Sequence, residues 1–248
     1  MERPEQVRQI IETLVAGLDV PVTAKCRIFP NVADTVAFAR MLEEAGAACV
    51  CVHGRLREQR HHEGPADLHS VAAVKEALRI PVVSNGNVRS GAEAEAARTL
   101  TGADCIMSAK GLLSNPRLFD YSAMVDEGRS GGSARGGREV DTGGASEGGP
   151  PSRSERAEMA LEYLECCADA SGSGSGALPR MISDHLLEML APDLAHGFNA
   201  DLKKQIKDHR KTTTPQQFAS LVRRVQSNCS FHAQTMSARR SKAQVEPP

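Results

Sequence analysis

IPVVSNGNVRSGAE (Ile80–Glu93) reads as a buried strand, a polar turn and the start of a helix. Its Ile and Val run does not alternate with polar residues, which suits a parallel sheet covered on both faces. Gly86 permits close approach of the backbone. Ser90-Gly91-Ala92-Glu93 is a capping box, in which Ser and Glu satisfy each other's free amides. Three further segments follow the same plan: PVTAKCR (Pro21–Arg27), ACVCVHGR (Ala48–Arg55) and DCIMSAKG (Asp104–Gly111). Lys25 to His53 is 28 positions, His53 to Asn85 is 32, and Asn85 to Ala109 is 24. Each interval holds one strand and one returning helix. Strands that all end in polar groups describe the active face of a parallel β/α barrel.

The intervals carry helical patterns. Glu5–Ala16 places Val7, Ile10, Ile11 and Leu14 on one face, and Gly17 ends it. Ala33–Ala45 carries Val36, Met41 and Leu42. A third helix starts near Asp67, with Leu68, Val71, Val74 and Leu78 toward the sheet. The predicted fold is α/β: a partial TIM (β/α) barrel over residues 1–127, contributing its last four strands. A Gly/Ser-rich insertion, expected to be disordered, spans residues 128–154. A small α-helical domain is predicted over 155–226, with helices at Glu155–Ala168, Met181–Leu190, Asp201–His209 and Pro215–Val225. A short linker, Ser171–Gly176, interrupts it, and a disordered tail is expected over 227–248.

Composition narrows the function. Hydrophobic content is 40%, enough for a core, while aromatics are 3% with no Trp, which disfavours base stacking as the main mode of nucleic-acid binding. Net charge is −1, but from Asp201 onward ten Lys and Arg oppose three Asp and Glu. The tail is therefore +7 and the remainder −8, a pattern that suits an anionic partner such as RNA and equally a solvated tail. The seven cysteines show no framework spacing and no C-x-x-C, as in a reduced, intracellular protein; a cytoplasmic location is expected. No apolar run reaches transmembrane length, so no membrane association is predicted.

Asn85-Gly86-Asn87 leads into a helix N-terminus, which offers free amides and a positive dipole to an anion. Ser108, Ala109, Lys110 and Gly111 form the next loop, and the last two loops of a barrel often bind phosphate. Each also fits an ordinary βα turn. Lys25 suits a polarised carbonyl or an electron-rich ring, or else a lysine snorkelling at a strand end. His53 fits a site or a satisfied structural histidine. The pair His61-His62 lacks partners at ligand spacing, so no metal is predicted. Cys49 and Cys51 read as core.

Taken in order, P-V-T-A-K-C-R, V-H-G-R-x-R-E-Q, A-D-L, P-V-V-S-N-G-N-V and G-A-D-C-I-M-S-A-K-G-L-L-S-N-P-R-L-F resemble the tRNA-dihydrouridine synthases. The likeness runs from Pro21 to Phe119 and is strongest to the eukaryotic subfamily that modifies D-loop uridines. It implies an FMN-dependent reductase in which NADPH reduces the flavin. Hydride then passes to C6 of a flipped-out uridine, and a cysteine protonates C5. By matched position, Lys25 would contact the flavin ring with His53 beside it. Asn85, Gly86, Asn87, Ala109 and Lys110 would hold the phosphate. Arg27, Arg55 and Arg57 would face RNA at the same mouth, and the helical domain would grip tRNA.

The resemblance also implies an N-terminal half with a flavin-cradling Pro-Met strand and an N-x-G-C-P loop bearing the acid cysteine. Neither motif occurs in these 248 residues. No catalytic residue is therefore assigned, and this chain alone is expected to bind flavin weakly or not at all and to turn nothing over. Two alternatives stay open: another FMN- or phosphate-binding barrel oxidoreductase, and a non-catalytic RNA-binding fragment.

Overall fold

The computed structural model describes residues 3–60, 63–120, 151–171, 178–208 and 214–243. Most of the Gly/Ser-rich insertion, the His61-His62 pair and nearly all of the Ser171–Gly176 linker lie outside them. The chain divides into two compact units: residues 3–111 with 118–120, and residues 112–117 with 151–243.

In the first unit, helices and strands alternate as α1 (Pro4–Gly17), β1 (Thr23–Ile28), α2 (Val32–Glu44), β2 (Cys49–Leu56), α3 (Leu68–Ala77), β3 (Val82–Asn85), α4 (Gly91–Thr101) and β4 (Cys105–Met107). The strands form one parallel sheet in the order β1-β2-β3-β4. Consecutive parallel neighbours require a crossover of a dozen or more residues, which each helix supplies.

Register separates the two faces. Ala24, Val50 and Val82 align across β1 to β3, as do Cys26, Val52, Ser84 and Ile106 across all four strands. From this face Cys26, Val50, Val52 and Val82 join Phe38, Leu42, Val71 and Val74 of the helices in one core. The other face carries Lys25, Cys51, Val83 and Cys105 in one row and Arg27, His53, Asn85 and Met107 in the next. Side chains alternate between faces, so His53 and Asn85, singled out at two strand ends, share one row, and Lys25 lies on the same face one row back.

Local chemistry starts the helices. The Asn31 carboxamide accepts from Ala33 N–H at 2.9 Å. The Asp67 carboxylate accepts from His69 N–H (3.0 Å) and Ser70 N–H (3.1 Å). Ser90 Oγ accepts from Glu93 N–H, as the capping box predicts. Glu93, however, accepts from Arg89 N–H at 2.7 Å, one residue earlier than the reciprocal bond requires. A second difference lies in α1. Ile11 is buried and Val7 packs on the core, but Ile10 and Leu14 are 51% and 41% exposed. Only the flank of the predicted apolar face that meets α2 is covered.

The second unit is helical where described. After α5 (Lys110–Ser114), at the boundary between the units, come α6 (Arg153–Ser171), α7 (Pro179–Met189), α8 (Ala191–Leu194), a 3₁₀ turn (Gly197–Asn199), α9 (Ala200–Asp208) and α10 (Pro215–Ala243). Leu164, Leu186, Ile206, Phe218 and Val222 centre its core. Asp193 is buried and held by Arg156 (2.8 and 3.0 Å) and Arg153 (3.3 Å). The expected tail from Ser227 needs correction, because α10 continues to Ala243. Its buried stripe of Phe218, Leu221, Val222 and Val225 extends one more turn to Cys229. There Arg153 donates to the Cys229 carbonyl at 3.1 Å and Asn228 donates to Asn199 at 3.1 Å. Those contacts hold polar sequence in the helix. Among the described residues, no helix is long and apolar enough to cross a membrane.

Candidate functional site

A cleft of about 160 Å³ opens at the carboxyl ends of β2, β3 and β4, where their loops converge. His53 and Arg55 line it from β2, Asn85, Gly86, Asn87, Val88 and Arg89 from the turn after β3, and Met107 to Gly111 from the turn after β4. Two glycines set its width. Gly86 has φ +127°, and a Cβ there would lie 2.6 Å from the Ala66 Cβ. A Cβ on Gly111 would lie 2.3 Å from the Val88 carbonyl oxygen and 2.6 Å from Ser108 Oγ. The two turns thus approach main chain to main chain. Ser108 Oγ ties them further by donating to the Val88 carbonyl at 2.7 Å.

Side chains organise the rim. Lys25 Nζ donates to Asn85 Oδ1 at 3.0 Å, and Asn85 Nδ2 donates to the Met107 carbonyl at 2.9 Å. One buried carboxamide therefore links β1, β3 and β4. Arg27 donates to the carbonyls of Leu56 and Gln59, both at 2.7 Å, and so braces the loop after β2. Arg55, only 7% exposed, donates to the Gly64 carbonyl and to Asn87 Oδ1. His53 is half-buried, and its Nδ1 is buried without a hydrogen-bond partner. Burial first, then the charges of Arg27, Lys25 and Arg55, lower its pKa to about 4, so the imidazole is neutral at physiological pH.

Two thiols of the sheet, Cys26 and Cys51, are poor acids. Burial pushes Cys26 up to about 12 and also raises Cys51, against the opposing pull of Lys25. Cys51 Sγ lies 3.6 Å from Met107 Sδ. Among the described residues, no three His, Cys, Asp or Glu side chains cluster as metal ligands.

The structure brings His53, Asn85, Gly86, Asn87, Ala109 and Lys110 to one cleft, with Lys25 bonded to Asn85 at its side. Arg55 lines it too, while the Arg27 guanidinium serves the loop carbonyls; of Arg57, the main-chain oxygen lies 3.5 Å from Arg27. Sequence reasoning placed Ser108 in the second candidate loop but missed Val88 and Arg89 as lining residues. Arg89 had a signal: it is the cation between the Asn-Gly-Asn turn and the helix cap at Ser90. The Ser108–Val88 tie joins residues 20 apart and has no local signal.

A cleft walled by glycine-containing βα turns and lined by Arg55 and Arg89 offers main-chain groups and positive charge, features that anion sites of α/β proteins use. The dihydrouridine synthase (Dus) family model matches residues 1–226, and the chain belongs to that family. Relatives include a tRNA-dihydrouridine(16/17) synthase-like protein of Rattus norvegicus, 45% identical over 104 residues, covering 42% of this chain and 24% of that one. The tRNA-dihydrouridine(16/17) synthase of Schizosaccharomyces pombe is 40% identical over 116 residues, covering 46% and 29%. A tRNA-dihydrouridine(20a/20b) synthase-like protein of Homo sapiens is 36% identical over 122 residues, covering 48% and 38%. The chain thus spans well under half the length of these relatives. A solved FabK mutant from Thermotoga maritima aligns with 45% of this chain and 51% of its own at 21% identity, with a TM-score of 0.26.

Proposed function

We propose that the chain carries the cofactor-phosphate side of a tRNA-dihydrouridine synthase active site, with FMN as the bound group and NADPH as its reductant. The observation that carries this reading is the cleft itself. Gly86 and Gly111 clear its walls, and Lys25, Arg55 and Arg89 stand at or beside it. Its size suits a phosphate and the chain next to it, with the flavin ring extending toward the face that holds Lys25 and His53. FMN, when bound, supplies hydride chemistry. Lys25, aimed by Asn85, would stabilise negative charge on the ring. Neutral His53, whose Cδ2–Nε2 edge faces Gly86, would stand beside it. The sheet cysteines Cys26 and Cys51 stay protonated through burial and are assigned no proton transfer.

The sequential parallel order supports four consecutive units of a β/α barrel, because a doubly wound sheet would reverse its order at the ligand site. The second unit, in this reading, contacts tRNA. Lys203, Lys204, Lys207, Arg223 and Arg224 are all exposed there and suit a phosphate backbone. The reading also places the protein where tRNA is found, in the cytoplasm.

Flavin titration followed by fluorescence tests the cofactor. FMN should bind at least tenfold more tightly than riboflavin, and Lys25→Met should weaken both about tenfold or more by removing a charged donor. Equal affinity for the two flavins would remove the phosphate assignment.

A further inference from the structure

We propose that Asn87 and Arg55 form a positioning clasp, rather than direct phosphate ligands, which locks the loop after β2 onto the turn that receives the phosphate. The proposal rests on the phosphate reading of the cleft and deepens it. Asn87 holds φ +64°, in the left-handed region that asparagine tolerates better than most residues. That conformation aims its carboxamide at the neighbouring loop. Asn87 Oδ1 accepts from Arg55 Nη2 at 2.8 Å and from Ala66 N–H at 3.0 Å, while Nδ2 reaches the Ala66 carbonyl at 3.4 Å. Both ends of the amide are thus engaged by protein. A carboxamide oxygen has two lone pairs, and both bonds to it are made.

Arg55 completes the device. Its Nε and Nη2 converge on the Gly64 carbonyl at 3.2 and 3.0 Å, and the same Nη2 reaches Asn87. A buried guanidinium thus spans the loop at Gly64 and the turn at Asn87. Ala66, gripped at its N–H by Asn87, also stands where a Cβ on Gly86 would strike it. The clasp therefore sets the distance between residue 66 and Gly86, and with it the direction of the main chain at Gly86 and Val88. Phosphate selectivity comes from that main chain, and the side chain of Asn87 fixes its orientation.

Two variants separate the parts of this device. Asn87→Gly keeps the φ and removes the carboxamide; Asn87→Asp keeps acceptors for both Arg55 and the Ala66 amide. Hydrogen exchange at the Ala66 amide is measured in the full chain, alongside FMN and riboflavin affinities. In Asn87→Gly, Ala66 exchange should rise about tenfold and the preference for FMN over riboflavin should fall about tenfold, the worth of roughly one or two hydrogen bonds. In Asn87→Asp, Ala66 should stay protected to within about threefold. Arg55→Lys, which keeps charge but loses the fork, should behave like Asn87→Gly. Unchanged Ala66 exchange in Asn87→Gly would overturn the clasp. Faster exchange with an intact FMN preference would show a loop brace without a positioning role and would also overturn it. A wild-type chain with no preference for FMN defeats the phosphate reading instead, and the positioning role falls with it, while Ala66 exchange still judges the clasp.

Discussion

Gly86→Ala is the most informative single substitution, because two independent costs meet at one atom. The backbone at φ +127° lies where L side chains are rarely found, and holding a non-glycine residue there costs about 1–3 kcal/mol. The added Cβ would also sit 2.6 Å from the Ala66 Cβ, about an ångström inside normal carbon contact. Relieving that overlap moves the loop after β2 and costs roughly 1–3 kcal/mol more. Ala66 cannot retreat freely, since its N–H is held by Asn87. The sum, ~2–6 kcal/mol, is large beside the 5–15 kcal/mol typical of a whole domain. Urea unfolding of Gly86→Ala, Ala66→Gly and the double variant measures both parts. Ala66→Gly alone should cost about 0.5–1 kcal/mol through chain entropy. Combined with Gly86→Ala it should recover the overlap but leave the backbone cost, giving a favourable coupling of at least ~1 kcal/mol. Additive effects, or a Gly86→Ala cost below about 1 kcal/mol, would refute the close-approach argument.

The neutral state of His53 makes stability depend on acid. Its pKa falls from 6.5 to about 4 on folding, so the unfolded chain binds the extra proton between those values. The contribution should be fully present above pH 6.5, decline as pH falls toward 4, and level off below. The full shift corresponds to ~3 kcal/mol, and screening at this half-buried site reduces it to ~1–2 kcal/mol. Urea midpoints across that range should flatten in His53→Gln; an unchanged slope would place the titration elsewhere. Asp193→Ala should destabilise the second unit by ~3–5 kcal/mol, because Arg156 would lose its buried partner. Thermal melts followed by helix signal read this, and a loss under about 1 kcal/mol would show that water satisfies the guanidinium.

Strand existence and spacing were legible because the strands run into polar turns and α2, α3 and α4 begin at a side-chain cap. Register placed Arg27, His53, Asn85 and Met107 in one row, and His53 and Asn85 were already marked by their position at strand ends. Side-chain assignments were less legible. Nothing local shows that Arg27 turns to the carbonyls of Leu56 and Gln59, or that Arg55 reaches Gly64 and Asn87, because those partners depend on how a loop folds back. The continuation of the last helix past Val225 was missed for a similar reason: Cys229 joins a core assembled from four other helices, and polar sequence beyond Val225 hides that stripe.

Three cations at or near the cleft share one feature that bears on its chemistry. Lys25 is held by a carboxamide, Arg27 by main-chain carbonyls, and Arg55 by a carbonyl and a second carboxamide. Neutral acceptors orient a charge without cancelling it, whereas a carboxylate in the same place would pair it off. His53 reports the consequence, since after burial it is these same three charges that resist its protonation. Burial is the larger cause, but the charges that add to it would also favour a phosphate dianion at the adjoining turns. In the proposed reading the asparagines of the Asn-Gly-Asn turn aim positive charge, and the anion would fall to the main chain beside Gly86 and Gly111.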